Sequence, residues 1–110
     1  MYVVINTIRV KKGYGPQLVE RFKTPKGVHQ MPGFIRFELW QTEHEQEEFE
    51  EFQACTVWEN EQAFLNWVNS AAFRKAHEAS NQRPNDYIID SRSSKHRIVA
   101  HYTAHPTSDS

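Results

Sequence analysis

The 110-residue sequence contains only one cysteine, four glycines and five prolines, and it has no long hydrophobic run. The single cysteine, Cys55, excludes an intramolecular disulfide framework and a thiolate-rich metal cluster, and it fits a reducing compartment best. No stretch of about 18 apolar residues is present, and the N-terminal residues lack the basic segment and apolar run of a secretory signal. We therefore expect a cytoplasmic protein with no membrane partner.

Neither sign of charge dominates, because 13 lysines and arginines stand against 14 aspartates and glutamates. A balanced chain has no general electrostatic attraction to nucleic acid or to an anionic membrane surface. The glycine-rich fingerprints of nucleotide-binding loops are missing as well. Nucleic acid is therefore not an expected partner, and any nicotinamide or flavin chemistry would have to come from another protein.

Aromatic residues, by contrast, make up 13% of the chain. A small domain rich in Phe, Tyr and Trp often buries a flat apolar ligand, a partner surface, or both. The length allows one domain and not two. We predict a single domain over residues 1–104 with a flexible tail over residues 105–110, and we expect a homo-oligomer.

Hydrophobic periodicity predicts the element order strand, helix, strand, strand, helix, strand. Strict alternation in the second strand places Phe34 and Phe37 on opposite faces. The acidic run from Glu43 to Glu48 reads as a hairpin tip or the polar end of a strand. The predicted strands are Tyr2–Val10, Phe34–Gln41, Phe49–Trp58 and a last strand that runs through Arg97 to Tyr102.

This order is the ferredoxin-like split βαβ pattern of an α+β fold, a four-stranded antiparallel sheet with helices on one face. The other face of the sheet carries aromatic and branched residues that need a cover. A homodimer joined sheet to sheet, as a dimeric α+β barrel, would bury this face.

Asn6 interrupts the apolar face of the first strand, between Val4 and Ile8. Burying a primary amide without hydrogen-bond partners costs about 1–3 kcal/mol. Asn6 therefore either bonds neighbouring polar groups or faces a wet or ligand-filled cavity. For the strand judged alone, the first of these two interpretations is the more common one.

The helical segment from Phe64 to His77 brings a tryptophan and a histidine to one region. On an unbroken helix, Trp67 and His77 would lie roughly 15 Å apart along the axis, so they could line one pocket without touching. Ser70 can cap a second helix and favours a bend between them. On the predicted topology, Asn6 could face the same pocket. A lone helical histidine is more often structural than a ligand, but a neutral imidazole among apolar side chains suits haem iron.

Several short motifs recur in a characteristic order. They are Asn6-Thr7, Glu20-Arg-Phe22, Met31-Pro-Gly-Phe34, Thr56-Val-Trp58, Ala63-Phe64 with Trp67, Ser70 through Phe73, Ala76-His77, and Pro84 through Asp90. With these motifs the chain resembles the IsdG-type haem-degrading monooxygenases of the antibiotic-biosynthesis-monooxygenase superfamily, close to its HmoA-like members. The acidic segment 43–51 and the residues after Ser91 match no feature of that family.

The resemblance implies a dimeric barrel with one haem per protomer between the sheet and the helices. It implies a catalytic set of Asn6, Trp67 and His77, in which His77 is the axial ligand of the haem iron. Asn6 would lie on the distal side of the iron and donate its amide N–H, and Trp67 would press on the macrocycle. Phe22 would pack against the haem, and Arg21 would meet a propionate.

The reaction implied by the resemblance opens the haem ring with O₂ and electrons and releases iron and a linear tetrapyrrole. Haem is then both substrate and cofactor, and an external donor, a flavin or NADPH-dependent reductase, would supply the electrons. Two other functions stay open: a haem-binding carrier or buffer that ligates through His77 without turnover, and a cofactor-free monooxygenase acting on quinol-like aromatics.

Overall fold

The computed structural model describes residues 1–43, 48–81 and 86–105. Within these ranges the chain forms one antiparallel sheet of four strands, three α-helices and one 3-10 turn. In chain order the elements are β1 (Tyr2–Lys11), α1 (Gly15–Phe22), the 3-10 turn (Val28–Gln30), β2 (Phe34–Gln41), β3 (Phe49–Trp58), α2 (Glu61–Val68), α3 (Ala71–Asn81) and β4 (Ile88–Arg97). The strand order across the sheet is β2-β3-β1-β4. The predicted ferredoxin-like α+β fold is confirmed.

Helix α1 is capped by a carboxylate from the neighbouring strand. Tyr14, at its N-cap, offers no side-chain bond to the helix. Instead, Oε2 of Glu50 in β3 accepts hydrogen bonds from the backbone N–H groups of Gly13 and Gly15, at 2.8 and 3.2 Å. A carboxylate in this place also complements the positive end of the helix dipole. Strand β3 therefore helps to fix where α1 begins.

The second helical region is divided at Ser70, as predicted. Helix α2 begins after Asn60, whose Oδ1 accepts a hydrogen bond from the Ala63 N–H at 2.9 Å. The Ser70 hydroxyl donates to the Trp67 carbonyl at 2.7 Å and accepts from the Phe73 N–H at 3.1 Å. One hydroxyl thus closes α2 and opens α3.

The helices cover one face of the sheet, and they rest on two separate groups of large side chains. We call these groups the α1 cluster and the α2 cluster. The α1 cluster consists of the large side chains Ile8, Val10, Leu18, Phe52 and Tyr87. The α2 cluster consists of Tyr2, Phe34, Trp58 and Phe64, whose neighbouring ring centroids lie 5.2 to 6.0 Å apart.

The pairing register of β1, a central strand, decides what lies between the two clusters. Tyr2 belongs to the α2 cluster and Ile8 to the α1 cluster, and Asn6 lies between them on the same face. Asn6 pairs with Ala54 of β3 on one side and with Ser93 of β4 on the other. Short side chains therefore occupy the middle of the sheet on its helical face.

A bulge in β2 changes the face on which Phe34 lies. Phe34 and Arg36 pair with adjacent residues of β3, so Ile35 is the extra residue on the bulged strand. Phe34 consequently faces the helices together with Phe37. The prediction that they lie on opposite faces was wrong, because hydrophobic alternation does not reveal an inserted residue.

Strand β4 ends earlier than predicted. It stops at Arg97, which pairs with Tyr2. The next residue, Ile98, still donates its N–H to the Met1 carbonyl at 3.0 Å. The prediction of a strand up to Tyr102 was wrong, because β1 offers no further residues for pairing once Tyr2 has been reached.

Two predictions fall largely outside the described residues. Residues 44–47 of the acidic run and residues 106–110 of the predicted tail are not among them. Within the described part of the chain, no helix is both long enough and apolar enough to cross a membrane.

We expect Gly33→Ala to destabilise the fold more than Gly13→Ala. Both glycines have positive φ angles, +82° and +91°, so each alanine carries a backbone cost of about 1–2 kcal/mol. At Gly33 an added Cβ would also lie 2.6 Å from the Ala63 Cβ, whereas at Gly13 it would meet nothing within 4 Å. Urea denaturation of both variants measures the difference, which should be about 1–3 kcal/mol.

The extra loss of stability in Gly33→Ala should come from the close contact between residue 33 and Ala63 of α2. Ala63→Gly is therefore expected to relieve part of the Gly33→Ala penalty in a double-mutant cycle. Additive effects of the two substitutions would contradict this explanation.

Candidate functional site

Asn6 is exposed, although it lies in the interior of a central strand. Its neighbours on the same face, Val4 and Ile8, are only 5% and 9% exposed, whereas Asn6 is open to solvent. Its side-chain amide makes no hydrogen bond to another described residue. The side chain of Asn6 therefore bonds no described neighbour and opens onto a cavity instead.

That cavity lies between the sheet and the helices and has a volume of about 340 Å³. Small-molecule sites usually measure about 300–1,000 Å³. Apolar and aromatic side chains form the larger part of its wall. The lining residues are Asn6, Arg21, Phe22, Thr24, Pro25, Lys26, Val28, His29, Phe34, Phe37, Ala54, Thr56, Trp67, Ala76 and His77.

The cavity exists because its floor is made of short side chains. Asn6, Ala54 and Thr56 are adjacent on β1 and β3 and all three line it. On either side, the α1 cluster and the α2 cluster hold the helical layer away from the sheet. The short residues between them cannot fill the gap, so an open space remains.

Trp67 and His77 reach this cavity from two different helices, and Phe73 connects them. The Phe73 ring lies 5.4 Å from the Trp67 ring in an edge-to-face arrangement and 4.1 Å from the His77 imidazole. Because Phe73 packs against both rings, it restricts the rotamers of Trp67 and His77. Trp67 and His77 thus line one wall without direct stacking, and Phe73 was not singled out from the sequence as the residue that orients them.

Helix α1 contributes residues of its last turn to the wall of the cavity. Phe22 stacks on Phe37, with centroids 5.6 Å apart and an interplanar angle of 16°. Arg21, one position earlier, donates from Nη1 to the Tyr87 hydroxyl at 2.9 Å. The structure therefore brings all five candidate residues to one cavity: Asn6, Arg21, Phe22, Trp67 and His77.

The segment after α1, residues 23–30, adds two residues that the sequence analysis did not predict for the site. Lys26 and His29 line the cavity. From the sequence, a histidine in a loop is expected only to be exposed to solvent. Gly27, with φ at +104°, lets this segment approach the helices closely. A Cβ on Gly27 would lie 3.2 Å from the Ala72 Cβ and 3.9 Å from Trp67.

The ionisable side chains in the described cavity lining are all basic. Arg21 and Lys26 line the cavity along with two histidines, and no aspartate or glutamate occurs among the described lining residues. A carboxylate-bearing ligand would meet no described carboxylate in the lining. An apolar space with basic residues suits a flat apolar molecule that carries acidic groups.

Cys55 lies outside this site. It pairs with Ile5 and Glu38 on the face of the sheet that the helices do not cover. Burial raises the pKa of the Cys55 thiol; the nearby Glu38 carboxylate adds to this increase and Arg36 opposes it. The group is thus held as a thiol rather than a reactive thiolate.

The fold and the cavity define a class of protein: a small α+β domain with a ligand-sized, largely apolar cavity between a sheet and its helices. A comparison with known protein families gives a match over most of the chain. The chain belongs to the antibiotic biosynthesis monooxygenase family, whose model matches residues 1–79.

Individual relatives cover most of the chain. The haem-degrading monooxygenase of Listeria monocytogenes is 37% identical over 84 residues, which are 70% of this chain and 69% of that protein. The staphylobilin-producing haem oxygenase of Staphylococcus epidermidis is 33% identical over 100 residues, which are 91% of this chain and 95% of that protein. The haem degrader MhuD of Mycobacterium tuberculosis, solved with two haems bound in its active site, matches with a TM-score of 0.71 at 28% identity. This match covers 94% of this chain and 100% of the MhuD chain.

We expect Asn6→Leu to leave the free energy of unfolding unchanged within about 0.5 kcal/mol. The reason is that the amide has no described partner and its replacement is similar in size. If Asn6 were a structural amide, the same change would cost about 1–3 kcal/mol. Chemical denaturation of the ligand-free protein measures the difference.

Gln53 provides the matched control. Its Nε2 donates to the Thr42 hydroxyl at 2.9 Å, and its Oε1 accepts from the same hydroxyl at 3.2 Å. Gln53→Met should therefore cost about 1 kcal/mol. If Asn6→Leu lowers the free energy of unfolding as much as Gln53→Met does, Asn6 is a structural amide.

Proposed function

We propose that this protein is a haem-degrading monooxygenase, which opens the haem ring with O₂ and electrons and releases iron and a linear tetrapyrrole. One observation carries the proposal. A single cavity joins an imidazole, an amide without a described partner and a tryptophan to apolar walls and basic residues. Family membership and relatives that degrade haem support the same conclusion.

The residues of the cavity fit haem. The apolar walls match the porphyrin faces, and Arg21 and Lys26 match the propionates. His77 presents an imidazole that would hold the haem iron. A floor of short side chains leaves room for a flat molecule between the sheet and α3.

When bound, haem supplies the iron that activates O₂, and its ring is the substrate that is oxidised. In this proposal the imidazole of His77 would hold the haem iron, and Phe73 packs against that imidazole. The amide N–H of Asn6 would donate a hydrogen bond to the bound ligand, which would give a partner to an amide that has none among the described residues of the free protein.

Trp67, Phe22 and Arg21 set the position of the haem. Trp67, which packs against Phe73, would press on the macrocycle. Phe22, stacked on Phe37, excludes water from the apolar wall. Arg21 would bind a propionate and so fix the orientation of the haem in the cavity.

Electrons must come from outside the chain. The sequence carries no nicotinamide or flavin fingerprint, so the proposal includes an external donor, a flavin or NADPH-dependent reductase. A cytoplasmic location, where such reductases and a free thiol such as Cys55 are maintained, is part of the same proposal. Cell fractionation that finds the protein outside the cytoplasm would contradict it.

The proposal is tested by titrating the purified protein with haemin and then adding ascorbate in air. We expect a saturating Soret shift, followed by decay of the band with release of iron and a bilin-like spectrum. His77→Ala should lose ligation, and Asn6→Ala should bind haemin but lose most turnover, since removing one such donor typically costs about 10²–10³ in rate. His96→Ala, a histidine on β4 bonded to Ser94, is the matched control and should behave as wild type.

Two other outcomes would each indicate one of the alternative functions. Stable binding without decay, also with a reductase present, would indicate a haem carrier or buffer. An absence of haemin binding would exclude the haem assignment and favour a cofactor-free monooxygenase acting on quinol-like aromatics.

We also propose that the protein is a homodimer. Several large apolar side chains are exposed. Trp40, on the face of β2 opposite the helices, is 43% exposed, Ile35 in the bulge is 40% exposed, and Val99 and Tyr102 after β4 are 93% and 94% exposed. Burying such surface against a second copy is favourable. This arrangement would cover the face of the sheet that the helices leave open.

Light scattering during size exclusion should give about twice the 13.0 kDa mass of the chain. Trp40→Glu should shift the population to monomer, because it places a charge in the proposed interface. Leu65→Glu on α2, at a side chain 37% exposed on the helical side, is the control and should remain dimeric. A monomeric wild type would disprove the dimer.

A further inference from the structure

Arg21 is held at the cavity by a residue that does not itself line the cavity. Nη1 of Arg21 donates a hydrogen bond to the hydroxyl of Tyr87 at 2.9 Å. Tyr87 comes directly before β4, 66 positions further along the chain. The bond therefore links the end of α1 to the start of the last strand.

Tyr87 is fixed in place more firmly than a surface residue. It is 6% exposed and belongs to the α1 cluster. Its backbone carbonyl accepts a hydrogen bond from the Lys11 N–H at 2.8 Å. Its ring stacks on Tyr14, with centroids 5.5 Å apart and an interplanar angle of 9°. The hydroxyl thus occupies a position set by the core of the protein.

A buried phenol is well suited to orient a guanidinium that binds an anion. An arginine side chain has several rotatable bonds, and fixing it costs conformational entropy when a ligand binds. A phenol oxygen orients the group without cancelling its charge, as a carboxylate in that position would. A guanidinium carries five N–H donors and can hold a phenol oxygen and a carboxylate together.

Lys26 adds a second basic group beside Arg21. Its Nζ donates to the Arg21 carbonyl at 3.2 Å, at the end of α1. Both side chains line the cavity. The end of α1 therefore presents two basic groups to the ligand, and one of them is anchored to the core through Tyr87.

We propose that Tyr87 is a positioning residue for haem binding: its hydroxyl holds the Arg21 guanidinium in the orientation that binds a propionate carboxylate. This inference rests on the proposed function, because it assumes that the ligand is haem. It extends that function to a residue outside the cavity, and it predicts that the Tyr87 hydroxyl matters only when the ligand carries free carboxylates.

The test compares two ligands, haemin and haemin dimethyl ester, by Soret titration in one buffer and co-solvent. Tyr87→Phe keeps the stacked ring and removes the hydroxyl. We expect it to raise the haemin Kd about fivefold, the ratio that corresponds to one typical hydrogen bond. The Kd for the ester should not change, because the ester has no carboxylate for Arg21 to bind.

Two further variants separate positioning from a general loss of packing. Tyr14→Phe removes the hydroxyl from the other ring of the stack and should leave both Kd values at the wild-type level. Arg21→Met should weaken haemin binding more than Tyr87→Phe does. In the Arg21→Met background, adding Tyr87→Phe should have no further effect, since the hydroxyl acts through Arg21.

The outcomes are distinct. Wild-type protein that binds neither haemin nor its ester overturns the proposed function and this inference with it. If wild type binds haemin but Tyr87→Phe weakens both ligands equally, or weakens neither, the function stands and the positioning role is overturned. An additive effect of the two substitutions in the double variant also overturns it.

Discussion

The site depends on one packing constraint: large side chains at both ends of the sheet hold the helices away from short side chains in its middle. The α1 cluster and the α2 cluster act as two supports, with Asn6, Ala54 and Thr56 between them. Close packing is the rule in protein interiors, so an open space here requires that no neighbouring side chain can reach it.

The charges around this space determine what can enter it. The described lining contains arginine, lysine and histidine but no carboxylate, so acidic groups of a ligand gain attraction without a competing repulsion. The apolar wall strengthens such interactions because water is partly excluded. Haem combines a flat apolar body with two carboxylates, and the cavity offers a complementary surface to each part.

The segment after α1 connects the basic residues of the cavity wall to Trp67 and His77. At Gly27 this segment approaches Ala72 and Trp67 closely enough that even one methyl group would be tight. Lys26 and His29, which lie beside Gly27, therefore share a packed unit with Trp67 and, through Phe73, with His77. A shift of the basic residues would therefore also disturb the packing of Trp67.

Local features of the sequence determined the element order, the caps at Asn60 and Ser70, and the chemical candidates Asn6, Trp67 and His77. These depend on residue type and on spacing along the chain, which periodicity and capping rules describe directly. Only the tertiary structure decided which side chains share the cavity, that a bulge turns Phe34 inward, and that Tyr87 anchors Arg21. The physical reason is that a cavity, a pairing register and a contact across 66 residues arise from long-range packing, which no local pattern encodes.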